Sequence, residues 1–271
     1  MPSIFTTVIV VLLILAAGTQ ADTDLGAFVG TWRENQSKSR PFTSSVFTYT
    51  FTADADGFVL VERGGVPLRD RVRFDGADYP TRSIPGRTAS WTKVTETFYE
   101  STIKRNGTLL ATGRWTLSEG GAHLTQETRP IRANGENDIS IMEYARVSGD
   151  ATSLLGVWKP ISSRSAVPDL FTMTLSDSEL RAFYPKYGGV VYTVRLDGKP
   201  YALRGPNAFP DATTAAQAVS LRSFRRTTFQ GGKPTLEILM TVASDGETMT
   251  VTTHVPGTAD PPSVYVYERQ H

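Results

Sequence analysis

The sequence predicts an all-β protein, two tandem antiparallel β-barrels related by internal duplication. Three observations carry this reading. Gly30-Thr31-Trp32-Arg33 returns as Gly156-Val157-Trp158-Lys159, and each copy opens one half of the 271-residue chain. Short runs of alternating apolar and polar residues follow one another, punctuated by Gly-containing turns. Sustained three-and-four apolar spacing is missing, apart from an alanine-rich stretch at 211–218 in which Asp211 would cap a turn or two of helix.

Taken in order, residues 4–17 are uncharged and rich in Val, Ile and Leu, and small residues follow up to Ala21. This pattern predicts a signal peptide over 1–21 and an exported protein, periplasmic or secreted, with no stable membrane insertion once the leader is removed. No Lys or Arg precedes the apolar run, so an uncleaved anchor is the alternative. Barrel 1 is expected over 22–147, a linker over 148–153 and barrel 2 over 154–271.

The first strand carries Trp32. Its glycine neighbour lets the backbone pass close to another segment while the indole commits to a core. Val46 to Phe51 alternates aromatics with threonines. Asp56-Gly57, Gly64-Gly65, Asp75-Gly76, Asn106-Gly107 and Gly120-Gly121 mark the turns between the strands that follow. The second half replays the order. Phe171-Thr172-Met173-Thr174-Leu175 repeats the aromatic alternation, Arg195 to Tyr201 matches Arg73 to Tyr79, and Ser263 to Arg269 matches Ser140 to Arg146. A repeat this long means duplicated domains rather than a solenoid. Many short strands hide their edges by closing into a barrel or by stacking as a sandwich, and the barrel is the reading adopted.

Composition narrows function. Lys and Arg total 28 against 27 Asp and Glu, a net charge of +1, which gives no basic footprint for nucleic acid. Cysteine is absent, so an exported protein of this kind relies on packing and strand pairing rather than disulfides.

The Gly-x-Trp on a first strand, a meander of strands in each half, and an Arg on the last strand resemble the lipocalin and fatty-acid-binding superfamily. More narrowly, Gly30-Thr31-Trp32, Asn35, Ser37-Lys38-Ser39, the turn from Asp75 to Pro80 and the tyrosine-bearing last strand resemble exported, tandem lipocalin-like (calycin-type) bacterial proteins of unassigned function. The resemblance implies barrels whose mouths take a small apolar ligand. It departs from fatty-acid carriers in two respects. No helical lid follows the first strand, and Met142-Glu143-Tyr144 and Tyr265-Val266-Tyr267 stand where a carboxylate clamp would be.

Candidate chemistry is sparse, and no catalytic residue, metal ligand or cofactor is assigned. Asp54-Ala55-Asp56-Gly57 resembles part of a calcium loop, but Thr52 and Arg63 occupy the end-ligand positions, so it reads as a hairpin turn. His123 and His254 fall on solvent faces, and His271 is terminal. Asn35-Gln36-Ser37 and Asn106-Gly107-Thr108 match a glycosylation pattern that has meaning only in a eukaryotic secretory route. Arg222, Arg225 and Arg226 around Phe224 are expected to project into solvent.

The expected function is a non-enzymatic, exported binding protein for a small apolar or amphipathic ligand. The alternative is a structural or protein-interaction module of the cell envelope with filled barrels. Ligand-lining candidates are Tyr49, Phe51, Tyr79, Trp115, Tyr144, Phe171, Met173, Tyr201 and Tyr267. Structural candidates are Trp32, Arg146, Trp158 and Arg269: a closed barrel returns its last strand beside its first, so Arg146 is expected over Trp32 and Arg269 over Trp158.

Overall fold

The computed structural model describes residues 23–40, 48–63, 68–81, 84–131, 138–185, 189–204, 209 and 211–271. The leader, and the start of the aromatic strand at Val46-Phe47, lie outside the described residues.

A short 3-10 turn, Leu25–Phe28, leads into β1 (Gly30–Glu34). Next come β2 (Tyr49–Ala53), β3 (Val59–Arg63), β4 (Leu68–Val72), β5 (Tyr79–Pro80), β6 (Arg87–Lys93), β7 (Phe98–Arg105), β8 (Thr108–Leu117), β9 (His123–Pro130) and β10 (Ser140–Ser148). The second half has β11 (Gly156–Ser165), β12 (Leu170–Ser176), β13 (Glu179–Tyr184), β14 (Val190–Val194), β15 (Asp197–Ala202), β16 (Thr213–Ser220), β17 (Ser223–Gln230), β18 (Lys233–Val242), β19 (Thr248–His254) and β20 (Ser263–Gln270). They form two ten-stranded antiparallel sheets, each curled into a nearly closed barrel.

The all-β duplication is as the sequence predicts, but the strand partners are not. One sheet runs β4-β3-β2-β11-β10-β9-β8-β7-β6-β5, and the other runs β14-β13-β12-β1-β20-β19-β18-β17-β16-β15. The two Gly-x-Trp strands are therefore exchanged. β1 lies between β12 and β20, with Trp32 opposite Phe171 and Arg269. β11 lies between β2 and β10, with Trp158 opposite Tyr49 and Arg146. The segment 148–153, expected to link two barrels, belongs to the connection of the β10–β11 hairpin inside one sheet.

Duplication explains how an exchange is possible, because it creates two equivalent slots for two equivalent strands. Locality explains which strand takes which slot. β11 follows β10 after a short connection, and closing a short loop costs less entropy than bringing β1 back across the whole first half. β11 is also the longer strand and pairs with β10 over most of its length, whereas β1 is half as long. The first barrel is thus one contiguous stretch from β2 to β11. The second is completed by a strand from the start of the chain.

Each Gly-x-Trp is a cap. Trp32 and Trp158 are both fully buried. The Trp32 indole N–H donates to Phe28 O at 2.9 Å, and that of Trp158 donates to Leu154 O at 2.8 Å. Gly30 and Gly156 have φ of 133° and 132°, a region that side chains avoid. A Cβ on Gly156 would stand 2.1 Å from Ser148 O, and one on Gly30 would stand 2.6 Å from Arg269 Nη1.

The expected helix at 211–218 is replaced by β16. There Thr214 and Ala216 are buried at period two, and pairing with both β15 and β17 overrides the helical preference of alanine.

Candidate functional site

The two barrels are filled differently, and aligned strand registers show why. In the first, Trp91 on β6 pairs with Ser101 on β7, and Tyr99 on β7 pairs with Trp115 on β8. The indoles of Trp91 and Trp115 lie 4.9 Å apart, Trp115 Nε1 donates to Ser101 Oγ at 3.0 Å, and Tyr49, Phe51 and Tyr144 close around them with ring separations of 5.4 to 6.0 Å. These rings pack the interior of the first barrel.

At the matching registers of the second barrel, Ala216 pairs with Arg226 and Phe224 pairs with Met240. Ala216 therefore stands in the place of Trp91, Met240 in that of Trp115, and Arg226 in that of Ser101. Losing two indoles leaves a ten-stranded barrel with more interior than its side chains fill. Met240 and Arg226 border a cavity of about 680 Å³, whereas Ala216 is buried and does not border it.

The wall of the cavity is apolar and aromatic, with Ile238, Met240, Val251 and Phe171 among its residues. Tyr184 stacks on Phe171 at 4.9 Å and 28°, and Tyr267 meets Phe171 edge-on at 4.9 Å. The hydroxyls of Tyr184 and Tyr192 lie 3.4 Å apart, and Tyr267 donates to Asp169 Oδ2 at 3.1 Å. Burial, first, and then the neighbouring Tyr192 push the Tyr184 phenol well above the usual tyrosine range, so it remains a hydrogen-bond donor.

Arg226 is the buried cation of the wall, and Arg164, which also borders the cavity, is exposed. Arg226 is only 9% exposed, and its guanidinium carbon sits 4.4 Å over the Tyr192 ring. Nη1 reaches Thr214 and Thr228 hydroxyls at 3.5 Å each, the outer limit of a hydrogen bond, and Nε has no partner. The closed end of the barrel is packed by Phe28 against Phe224 and by Trp32.

Strand exchange shapes the mouth. Glu34 ends β1, Gln36 and Ser39 come from the segment that leaves β1 for the first barrel, and Ser163, Arg164 and Ser165 come from the end of β11. Gln36 Nε2 donates to Ser165 O at 2.9 Å, and the Asp169 amide donates to Glu34 Oε2 at 3.1 Å. Both crossing segments thus border the opening.

Of the ligand-lining candidates, Phe171 and Tyr267 border the cavity. Tyr49, Phe51, Trp115 and Tyr144 pack the first barrel instead. Met173 is buried in the wall of the second barrel without bordering the cavity. Tyr79 opens β5 and Tyr201 lies on β15, and they donate to Asp75 and Asp197 at 2.8 and 3.0 Å.

The expectation that Arg226 projects into solvent fails. Period two had already placed it on the same face as Phe224, which is fully buried. Tyr184 and Tyr192 were also missed, although they lie on strands whose alternation was readable. The Asp54-Ala55-Asp56-Gly57 segment is a hairpin turn: Asp54 accepts the amides of Asp56 and Phe58, and Arg71 bridges both carboxylates at 2.7 Å. The Arg71 bond, first among its causes, holds the Asp54 carboxyl below the usual range.

Compared with known proteins, the chain matches no protein-family model and no curated sequence.

Proposed function

We propose that the protein is an exported, non-enzymatic binding protein for a small apolar or amphipathic molecule, held in its second barrel, and that its architecture is of the lipocalin-like kind. The observation that carries this reading is the cavity of about 680 Å³, a size suited to enclosing a small molecule and walled by aliphatic and aromatic side chains with a few polar groups. The uncharged run at 4–17, followed by small residues up to Ala21, supports export.

Two features of the wall speak to a catalytic alternative. Its described residues include the charged groups Glu34, Arg164, Asp169 and Arg226, which a catalytic alternative would use, and no histidine or cysteine is among them. Binding is the function this set of side chains supports. The packed first barrel favours a second, coexisting role, since an interior filled by Trp91 and Trp115 suits a structural or protein-interaction module.

The test is native mass spectrometry of protein purified from its own host. A small molecule that remains bound to the intact chain, and is released when Ala216→Trp adds an indole beside Arg226 on the cavity wall, is the expected result. A mass equal to that of the bare chain, together with no enhancement of N-phenyl-1-naphthylamine fluorescence on titration, would remove the ligand-binding reading and leave the interaction module.

A further inference from the structure

We propose that the ligand of the second barrel is a monoanion, a carboxylate or similar oxyanion on an apolar body, with its charged group against Arg226 and its body along Ile238, Met240, Val251 and Phe171. The inference rests on the reading that this cavity binds a small molecule, and it adds the charge and orientation of that molecule.

Arg226 is the reason. A guanidinium stays ionised at any physiological pH, and burying one is costly unless a carboxylate or several hydrogen bonds compensate. Arg226 is nine-tenths buried, its Nε is unpartnered, and its two hydroxyl contacts are at 3.5 Å. Among the described residues no carboxylate forms a salt bridge with it. Tyr192 covers one face of the guanidinium, so the donors left to offer are those in its plane.

Neither the fold nor packing requires this arginine. The first barrel has the same strands and register with Ser101 at that position, where it serves Trp115. The charge appears only in the barrel that also carries Ala216 and Met240 in place of indoles, so the cation and the space arrive together. The neighbouring Tyr184 phenol, held protonated, suits an anion as well. Glu34 and Asp169 border the same cavity, and their carboxylates disfavour a ligand with further negative charge.

The experiment is isothermal titration of the full chain with two matched pairs, decanoate with decanol and 2-naphthoate with 2-naphthol, repeated on Arg226→Met and Arg226→Gln. The parent should prefer the acid of at least one pair by about 10- to 100-fold, the range expected of a hydrogen bond to a charged group. Preference in the first pair points to an acyl chain, and in the second to a ring. Both variants should bind acid and alcohol alike, and ligand-free Arg226→Met should melt no lower than the parent, since it loses an uncompensated buried charge.

An acid preference that survives in both variants, or equal binding of acid and alcohol by the parent in both pairs, overturns the proposal while the cavity reading stands. Failure of all four compounds to bind the parent overturns both.

Discussion

Arg269 lies with its guanidinium carbon 4.3 Å over the ring of Trp32, a residue from the opposite end of the chain, and Arg146 lies 4.0 Å over Trp158. The stacked pair is the one the sequence predicts, but the partners are swapped. Each guanidinium also ties down three backbone carbonyls. Arg146 reaches Gly121, Leu155 and Ser153 at 2.6 to 3.0 Å, and Arg269 reaches Gly246, Val29 and Ala27. This cap joins a last strand to the first strand of the other half. A double-mutant cycle on Arg269 and Trp32 should give a coupling of about 1 to 2 kcal/mol, and Trp32→Ala alone should cost about 3 to 5 kcal/mol. The cycle on Arg146 and Trp32 should give no coupling. Coupling in that cross pair, read by chemical denaturation, would mean that the strands are not exchanged.

The exchange also ranks two fragments. Residues 41–167 hold all ten strands of the first barrel, including β11 with its full pairing to β10. Residues 22–150 lack β11 and offer β1 as a substitute half as long, which would pair with β10 over fewer residues. Fragment 41–167 should melt cooperatively, with near-ultraviolet circular dichroism from its packed indoles. Fragment 22–150 should melt lower or associate, and the reverse order would argue for barrels made of contiguous halves.

The two capping glycines should not respond equally to a methyl group. Gly30→Ala and Gly156→Ala share the cost of an unfavourable φ, about 1 to 3 kcal/mol. At Gly156 the new Cβ also meets the backbone carbonyl of Ser148, which cannot move without opening the β10–β11 connection, whereas at Gly30 it meets the end of a long arginine side chain. Gly156→Ala should be the more destabilising in thermal melts. Equal losses would indicate that the backbone near Ser148 yields as readily as Arg269 does.

Much of this architecture was legible in the sequence. Period-two alternation and Gly turns identified many of the strands, β16 with its helix-like alanines excepted, and the repeat identified the duplication. The exchange was not legible, because duplication makes the two slots for a Gly-x-Trp strand equivalent in pattern; only loop length and strand length choose between them. The cavity was legible in principle, since the repeat sets Ala216 and Met240 against Trp91 and Trp115. The position of Arg226 was masked by the strong tendency of arginine to face water, which outweighed the simpler fact that Phe224 two residues earlier faces inward. Sites are often where local pattern and side-chain preference disagree.

That difference between the barrels is reversible by mutation in both directions. Ala216→Trp places an indole where Trp91 sits in the first barrel, beside Arg226 on the cavity wall; with the ring turned into the cavity, stability should stay unchanged or rise by about 1 to 3 kcal/mol through apolar burial. It should also weaken binding of the neutral probe N-phenyl-1-naphthylamine at least tenfold. Met240→Trp should be less well tolerated on its own, because Trp115 places its N–H on Ser101 and the matching position here holds Arg226, which accepts no hydrogen bond. Adding Arg226→Ser should recover that loss. In the first barrel, Trp91→Ala should cost about 3 to 5 kcal/mol and open a new apolar site beside Trp115. If Ala216→Trp bound the probe as tightly as the parent, the ligand would have to sit elsewhere on the molecule. The hollow second barrel would then be a packing difference with no bearing on binding.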